Sequence, residues 1–358
     1  MRPQRRTRTI NLALGALVAM LLTLALGATT AGAAVDSAPV SSPAAAAKAY
    51  WTKARMRAAV PADPVPSELA AEAGDAPAAP ATGAPSYVPA AAPAQARNAT
   101  LQSGSAPAVA PLPLGSSREV SGPSAPGVRA HGKVFFTIPG EGDFVCSGTA
   151  VNSRNRSVVW TAGHCVYDAG PRSQGYTNAF STNFIFVPAY RDGQAPFGRW
   201  AARRLATTTR WESSANLKYD FGAAIVRKHG VRRLQGVVGA RGIGFSQPRG
   251  QVLEAFGYPA VAPFTGEREF SCTDAPTSGD PRNPRPGPRP LRIDCDMTAG
   301  ASGGGWITGT TLVSVTSYGY DDQVNDLYGS YMANAARHLY KSVRGHRKRA
   351  VRTAPAAP

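Results

Sequence analysis

The sequence predicts an all-β fold of the antiparallel sandwich or barrel type. Two observations carry this. From Val128 onward, short apolar runs recur between Gly-, Pro- and Asn-containing turns, the signature of many short strands. No strand–helix alternation of the kind that builds a parallel sheet accompanies them. The core-forming stretch, residues 128–343, suffices for one good-sized β domain or two small barrels sharing a core.

The strand-like runs are residues 134–138, 157–162, 183–187, 222–226, 252–258 and 311–316. Residues 273–290 are rich in Pro, Gly and Arg and read as a loop. Residues 331–343 place Met332, Ala336, Leu339 and Val343 on one helical face. Before this domain lie two other segments. Arg2, Arg5, Arg6 and Arg8 precede an apolar run over 10–26 and the small residues Ala31-Gly32-Ala33, so residues 1–34 read as a signal peptide and not a membrane anchor. The product is expected to be secreted. Residues 35–127 are dominated by Ala, Pro and Ser and bury too little to offset the entropy of ordering them. They are expected to be a largely disordered propeptide or linker, with one island of different character, Ala49-Tyr50-Trp51-Thr52-Lys53-Ala54-Arg55-Met56-Arg57. Residues 344–358 form a basic tail, also expected to be disordered.

The net charge is +17, and residues after 127 contribute 29 Lys+Arg against 16 Asp+Glu. The arginines are scattered, with no basic motif interleaved with aromatics, so the charge reads as solubility and no specific nucleic-acid partner is expected. Four cysteines in an exported chain read as disulfides. Of three possible pairings, sequence proximity suggests Cys146–Cys165 and Cys272–Cys295. A zinc site lacks its usual Cys-x-x-Cys spacing, and no metal or cofactor is expected.

Three segments carry chemistry. His164, in Thr161-Ala162-Gly163-His164-Cys165, follows a strand and precedes a turn, and a histidine is the natural base near neutral pH. Asp220 opens the apolar run Phe221-Gly222-Ala223-Ala224-Ile225-Val226, where burial is costly without a partner such as an imidazole N–H. Ser302 lies in Gly300-Ala301-Ser302-Gly303-Gly304, where glycines let main-chain N–H groups turn toward a developing oxyanion.

The segments Cys146-Ser147-Gly148-Thr149-Ala150-Val151, Trp160 to Cys165 and Gly300 to Gly304 resemble the histidine and serine regions of trypsin-like, chymotrypsin-fold serine peptidases. The run Asp294-Cys295-Asp296-Met297-Thr298 ahead of the serine brings the resemblance closest to secreted actinobacterial and glutamyl-endopeptidase-like members. The island around Trp51 is similar to pro-regions of such peptidases. The resemblance implies two six-stranded antiparallel barrels, about 128–230 and 231–343, with a C-terminal helix. It implies a monomeric endopeptidase acting on polypeptides through His164, Asp220 and Ser302, with the N–H groups of Gly300 and Ser302 as oxyanion hole. It also implies a substrate edge at Ser317-Tyr318-Gly319, a pocket wall at Gly329, and Asp296 as a pocket base for Arg or Lys. Asp296 also reads as a plain loop carboxylate. Ala301 stands where zymogen-activated members carry an Asp, so no ammonium–aspartate switch is expected.

The order His164, Asp220, Ser302 matters, because Gly300 to Gly304 also fits the Gly-x-Ser-x-Gly elbow of esterases, which need the serine first. That esterase and a catalytically idle binding module are the alternatives.

Overall fold

The computed structural model describes residues 34–40, 42–64, 83–94 and 115–345. The expected signal peptide, but for its last residue, and the tail beyond 345 lie outside the described residues. In the domain, β5 (His131–Ile138), β6 (Gly142–Val151), β7 (Val158–Thr161), β10 (Thr182–Pro188), β11 (Trp200–Thr208) and β12 (Gly222–Val226) close into a six-stranded antiparallel barrel. Its order is β11-β10-β5-β6-β7-β12, and β12 returns to β11. A short hairpin of β8 (Tyr167–Asp168) and β9 (Ala179–Phe180) follows β7. The second sheet holds β13 (Gly242–Phe245), β14 (Leu253–Gly257), β15 (Phe270–Asp274), β16 (Thr277–Ser278), β17 (Leu291–Asp294), β18 (Gly305–Thr308), β19 (Thr311–Tyr320) and β20 (Gln323–Gly329). It runs β16-β17-β20-β19-β18-β14-β15, with β13 beside β19.

The barrel interior packs alternate residues such as Val134, Phe136, Cys146, Val159 and Phe184. A second core joins the two sheets: Trp160, Ala206 and Phe221 of the barrel meet Ile243, Phe256, Leu312 and Val315. The C-terminal helix (Asn334–Val343) seals this seam with Ala336, Leu339 and Val343. The sequence predicted that helix from residue 331. It starts later because the Met332 carbonyl is already taken by the Ser246 N–H at 2.7 Å, so that residue serves the sheet side and not the first helical turn.

The largest departure from expectation lies in residues 35–127, whose described parts are ordered against the domain. β1 (Val35–Pro39) adds antiparallel to β11, and β2 (Val60–Pro61) adds parallel to β6. β3 (Ser86–Val88) and β4 (Arg118–Glu119) pair with β13 and β15. Between β1 and β2, the helices α1 (Ala44–Tyr50) and α2 (Lys53–Ala58) press Trp51 and Met56 onto Phe135, Ile185, Val187 and Tyr258. The composition argument fails here for a physical reason. Strand addition satisfies main-chain N–H and C=O groups and needs few apolar side chains, while one Trp and one Met supply the anchor.

Candidate active site

His164 sits in the tight turn after β7. The N–H groups of Val166 and Tyr167 both donate to the Gly163 carbonyl, and Cys165 is tied to Cys146 on β6. The second bridge, Cys272–Cys295, closes the long loop at its base. A Cβ on Gly163 would stand 2.8 Å from Asp220 Oδ1 and 2.9 Å from Trp211, so only glycine lets the acid come this close. Asp220 follows the helical turn Leu217–Tyr219, whose start is capped by Asn216. It is fully buried. Its Oδ1 accepts the His164 main-chain N–H at 2.8 Å, and its Oδ2 meets His164 Nδ1 at 2.8 Å. Ser317 Oγ donates to the same Oδ2 at 2.6 Å.

Burial pushes the His164 pKa down, but the charge and hydrogen bond of Asp220, then the charges of Asp63 and Asp168, outweigh it and the net shift is upward. His164 Nε2, the nitrogen that faces away from Asp220, is buried without a hydrogen-bond partner among the described residues.

Ser302 lies in the turn between β17 and β18. Its carbonyl accepts the Ser147 N–H at 2.7 Å, and the next N–H, of Gly303, donates to Thr316. Gly300 has φ +96°, and a Cβ there would sit 2.7 Å from the Tyr258 carbonyl. Ala301 is buried, and a Cβ on Gly257 would stand 2.8 Å from its Cβ. Ser302 Oγ donates to Asp63 Oδ1 at 2.7 Å, and the Gly300 main chain lies close enough to the same carboxylate to pull its pKa down. Asp63 is exposed as a residue, while protein crowds its carboxyl on the site side. That loss of hydration pushes its pKa up against the opposing pull of His164, Ser302 and Gly300. Next to this point a cleft of about 470 Å³ is lined by Asp63, Phe144, His164, Tyr176 and Trp211.

No protein-family model and no curated protein matches the chain. Among solved structures, the protease Anisep from Arthrobacter nicotinovorans is 39% identical, over 60% of this chain and 95% of that one, with a TM-score of 0.54. The chain belongs to the chymotrypsin-fold serine proteases. A thermostable serine protease, AL20, from an extremophilic microorganism is 38% identical, over 60% of this chain and 97% of that one, at a TM-score of 0.54.

In this serine protease the residues expected at the site divide into two groups. His164 and Ser317 both bond Asp220, and Ser302 bonds Asp63, whose carboxylate also lies near the Gly300 main chain and His164. Asp296 is bonded elsewhere: its Oδ1 accepts the Ser117 N–H at 2.8 Å. Tyr318 is buried, stacked on Tyr328 at 5.0 Å, and its hydroxyl donates to Asp280 at 2.7 Å. Gly319 lies on β19, and Gly329, at the end of β20, pairs with Thr316 and Leu291. Two acids at this site escaped sequence reasoning. Asp280 accepts from both Tyr318 and Tyr320 and holds the loop over 273–290 against the strand edge. Asp63 stands in Pro61-Ala62-Asp63-Pro64, with no local pattern to mark it. Among the described residues, no helix is long and apolar enough to cross a membrane.

Proposed function

We propose that this chain is a secreted serine endopeptidase in which Ser302 is the nucleophile, His164 the general base and Asp220 the group that orients the base. The observation that carries the reading is the two-point grip of Asp220 on His164, through Nδ1 and through the main-chain N–H, both at 2.8 Å. That grip keeps the Nδ1 proton in place and leaves Nε2 to accept a proton, the tautomer that deprotonates a serine. Ser302 Oγ attacks a substrate carbonyl and its proton passes to His164. The developing oxyanion is held by the N–H groups of Gly300 and Ser302, and the imidazolium then protonates the leaving amine. Water repeats the sequence on the acyl-enzyme. Ala301, packed against Gly257, supports activation without an ammonium–aspartate switch. Ser317, Tyr318, Gly319 and Gly329 form the substrate edge and wall in this reading, and Asp296 the base of a pocket for Arg or Lys. The export leader and two disulfides fit an extracellular, monomeric enzyme.

A fluorophosphonate applied to the processed protein should label Ser302, with the label lost in Ser302→Ala and strongly slowed in His164→Ala. The same protein should hydrolyse peptides faster than short esters. Absence of labelling in the processed protein removes the assignment. A peptide-library profile with no preference for Arg or Lys at the cleavage position removes Asp296 from the pocket.

A further inference from the structure

We infer that residues 44–64 are a built-in inhibitor of this site, with Trp51 and Met56 as the anchor and the Asp63 side chain as the plug. The inference rests on the reading of Ser302 as nucleophile and names how that nucleophile is regulated.

Three observations support it. The first is hydrogen-bond accounting. A serine hydroxyl has one proton to give, and Ser302 gives it to Asp63. His164 Nε2 is left without a partner among the described residues, so base and nucleophile are disconnected. The Gly300 main chain, the other side of the expected oxyanion hole, also faces the Asp63 carboxylate. The second is the chemistry of the plug. A side-chain carboxylate presents two oxygens to the position where a substrate would present a carbonyl. It is already anionic, resists nucleophilic addition and offers no amine to expel, so it occupies the site without being cut. Its negative charge beside His164 also favours the imidazolium, the form that cannot accept a proton.

The third is the anchor. Trp51 is fully buried, donates through Nε1 to the Asn183 carbonyl at 2.6 Å, and receives Arg199 Nη1 on its own carbonyl at 2.6 Å. Met56 is 1% exposed. Tyr50 and Arg55 both bond Asp143, at 2.7 and 3.2 Å. From this anchor the chain runs along β6, with Val60 opposite Phe144, Pro61 opposite Val145, and the Ala62 N–H on the Val145 carbonyl at 3.2 Å. Asp63 is the next residue. An anchored strand that stops at the nucleophile holds its carboxylate at high effective concentration, so an exchangeable contact becomes a lasting block.

The test uses the secreted full chain before any processing. The rate of fluorophosphonate labelling of Ser302 is read in the uncut band for the wild type, Asp63→Ala, Asp63→Asn and Met56→Ala, with thermal unfolding as the check on folding. We expect Asp63→Ala to label at least tenfold faster than wild type. Asp63→Asn keeps the shape and loses the charge, and should fall between them. Met56→Ala loosens the anchor and should also speed labelling. Equal rates in the wild type and every folded variant overturn the inhibition. Absence of labelling in all of them, and also after limited proteolysis has removed residues 44–64, overturns the assignment of Ser302 as nucleophile and takes the inhibition with it.

Discussion

Replacing Asp220 with Asn is the most revealing single change. The acid is fully buried, and its two oxygens accept three hydrogen bonds, from the His164 N–H, His164 Nδ1 and Ser317 Oγ. In Asp220→Asn one oxygen becomes an NH2 donor. Turned toward the His164 main chain, it sets donor against donor at 2.8 Å. Turned the other way, it forces Nδ1 to accept, and the ring then carries its proton on Nε2, where it cannot take the Ser302 proton. The second orientation relieves the clash, since Ser317 can rotate to accept. Its expected cost is about 10⁴ in kcat, or about 5 kcal/mol of transition-state stabilisation. The pH profile supplies an independent readout. Burial alone lowers the His164 pKa, and Asp220 is the first of the groups that raise it, ahead of Asp63 and Asp168. Activity needs neutral His164 and is lost as pH falls through this pKa, so the acid limb of the residual activity should move to lower pH. The assay is peptide hydrolysis by the processed enzyme, with active sites counted by fluorophosphonate and folding checked by thermal unfolding. A kcat within tenfold of wild type, or an acid limb that moves up, refutes the role given to Asp220.

Gly300→Ala places a Cβ 2.7 Å from the Tyr258 carbonyl at φ +96° and should displace the Gly300 N–H. We expect kcat to fall by about 10²–10³ with little change in KM, and an unchanged kcat takes Gly300 out of the oxyanion hole. Serine at both Cys272 and Cys295 opens a loop of sequence separation 23 and should cost about 3 kcal/mol. Calorimetry should then show Tm lower by about 6–12 °C, and a shift under 2 °C refutes this. Lys133 is buried, its Nζ donates to the Gly266 carbonyl at 2.8 Å, and burial pulls its pKa from 10.5 to about 8. Between those values the folded chain binds fewer protons than the unfolded one, so this group makes stability rise with pH, and its full penalty applies below pH 8. The Tm of Lys133→Met minus that of wild type should therefore shrink from pH 7 to pH 10, and a difference that stays constant contradicts the shift.

The parts of this protein legible in sequence are those whose partners lie close in the chain or whose residue types are rare. His164 beside Cys165 and Ser302 among glycines stand out because few other roles need those neighbours. The disulfides follow from proximity, and both bridges form as paired by that rule. The all-β class is legible because short apolar runs set between turn residues can be recognised locally. One signal was present but open to two readings. Val134-Phe135-Phe136 is apolar without alternation, and such a run needs cover on both faces. Phe136 faces the barrel interior, and Phe135 faces outward onto Trp51. Asp280 and Asp63 were illegible because their partners, Tyr318 and Ser302, are 38 and 239 residues away. A lone acid in a Pro/Ala-rich stretch has no local pattern to mark it.

The pairing of β1 with β11 also sets an order of events. Val35 pairs with Thr208, and Pro39 with Arg204. A chain synthesised from its N-terminus makes β1 early and must wait for well over a hundred further residues before its partner exists. Contacts of such long sequence separation form late, because loop closure must be paid before pairing rewards it. The first barrel can close through its nearer pairings, β5 with β6 and β6 with β7, while residues 35–64 are still unattached. The earliest-made part of the ordered protein is thus able to settle last, on a barrel already built.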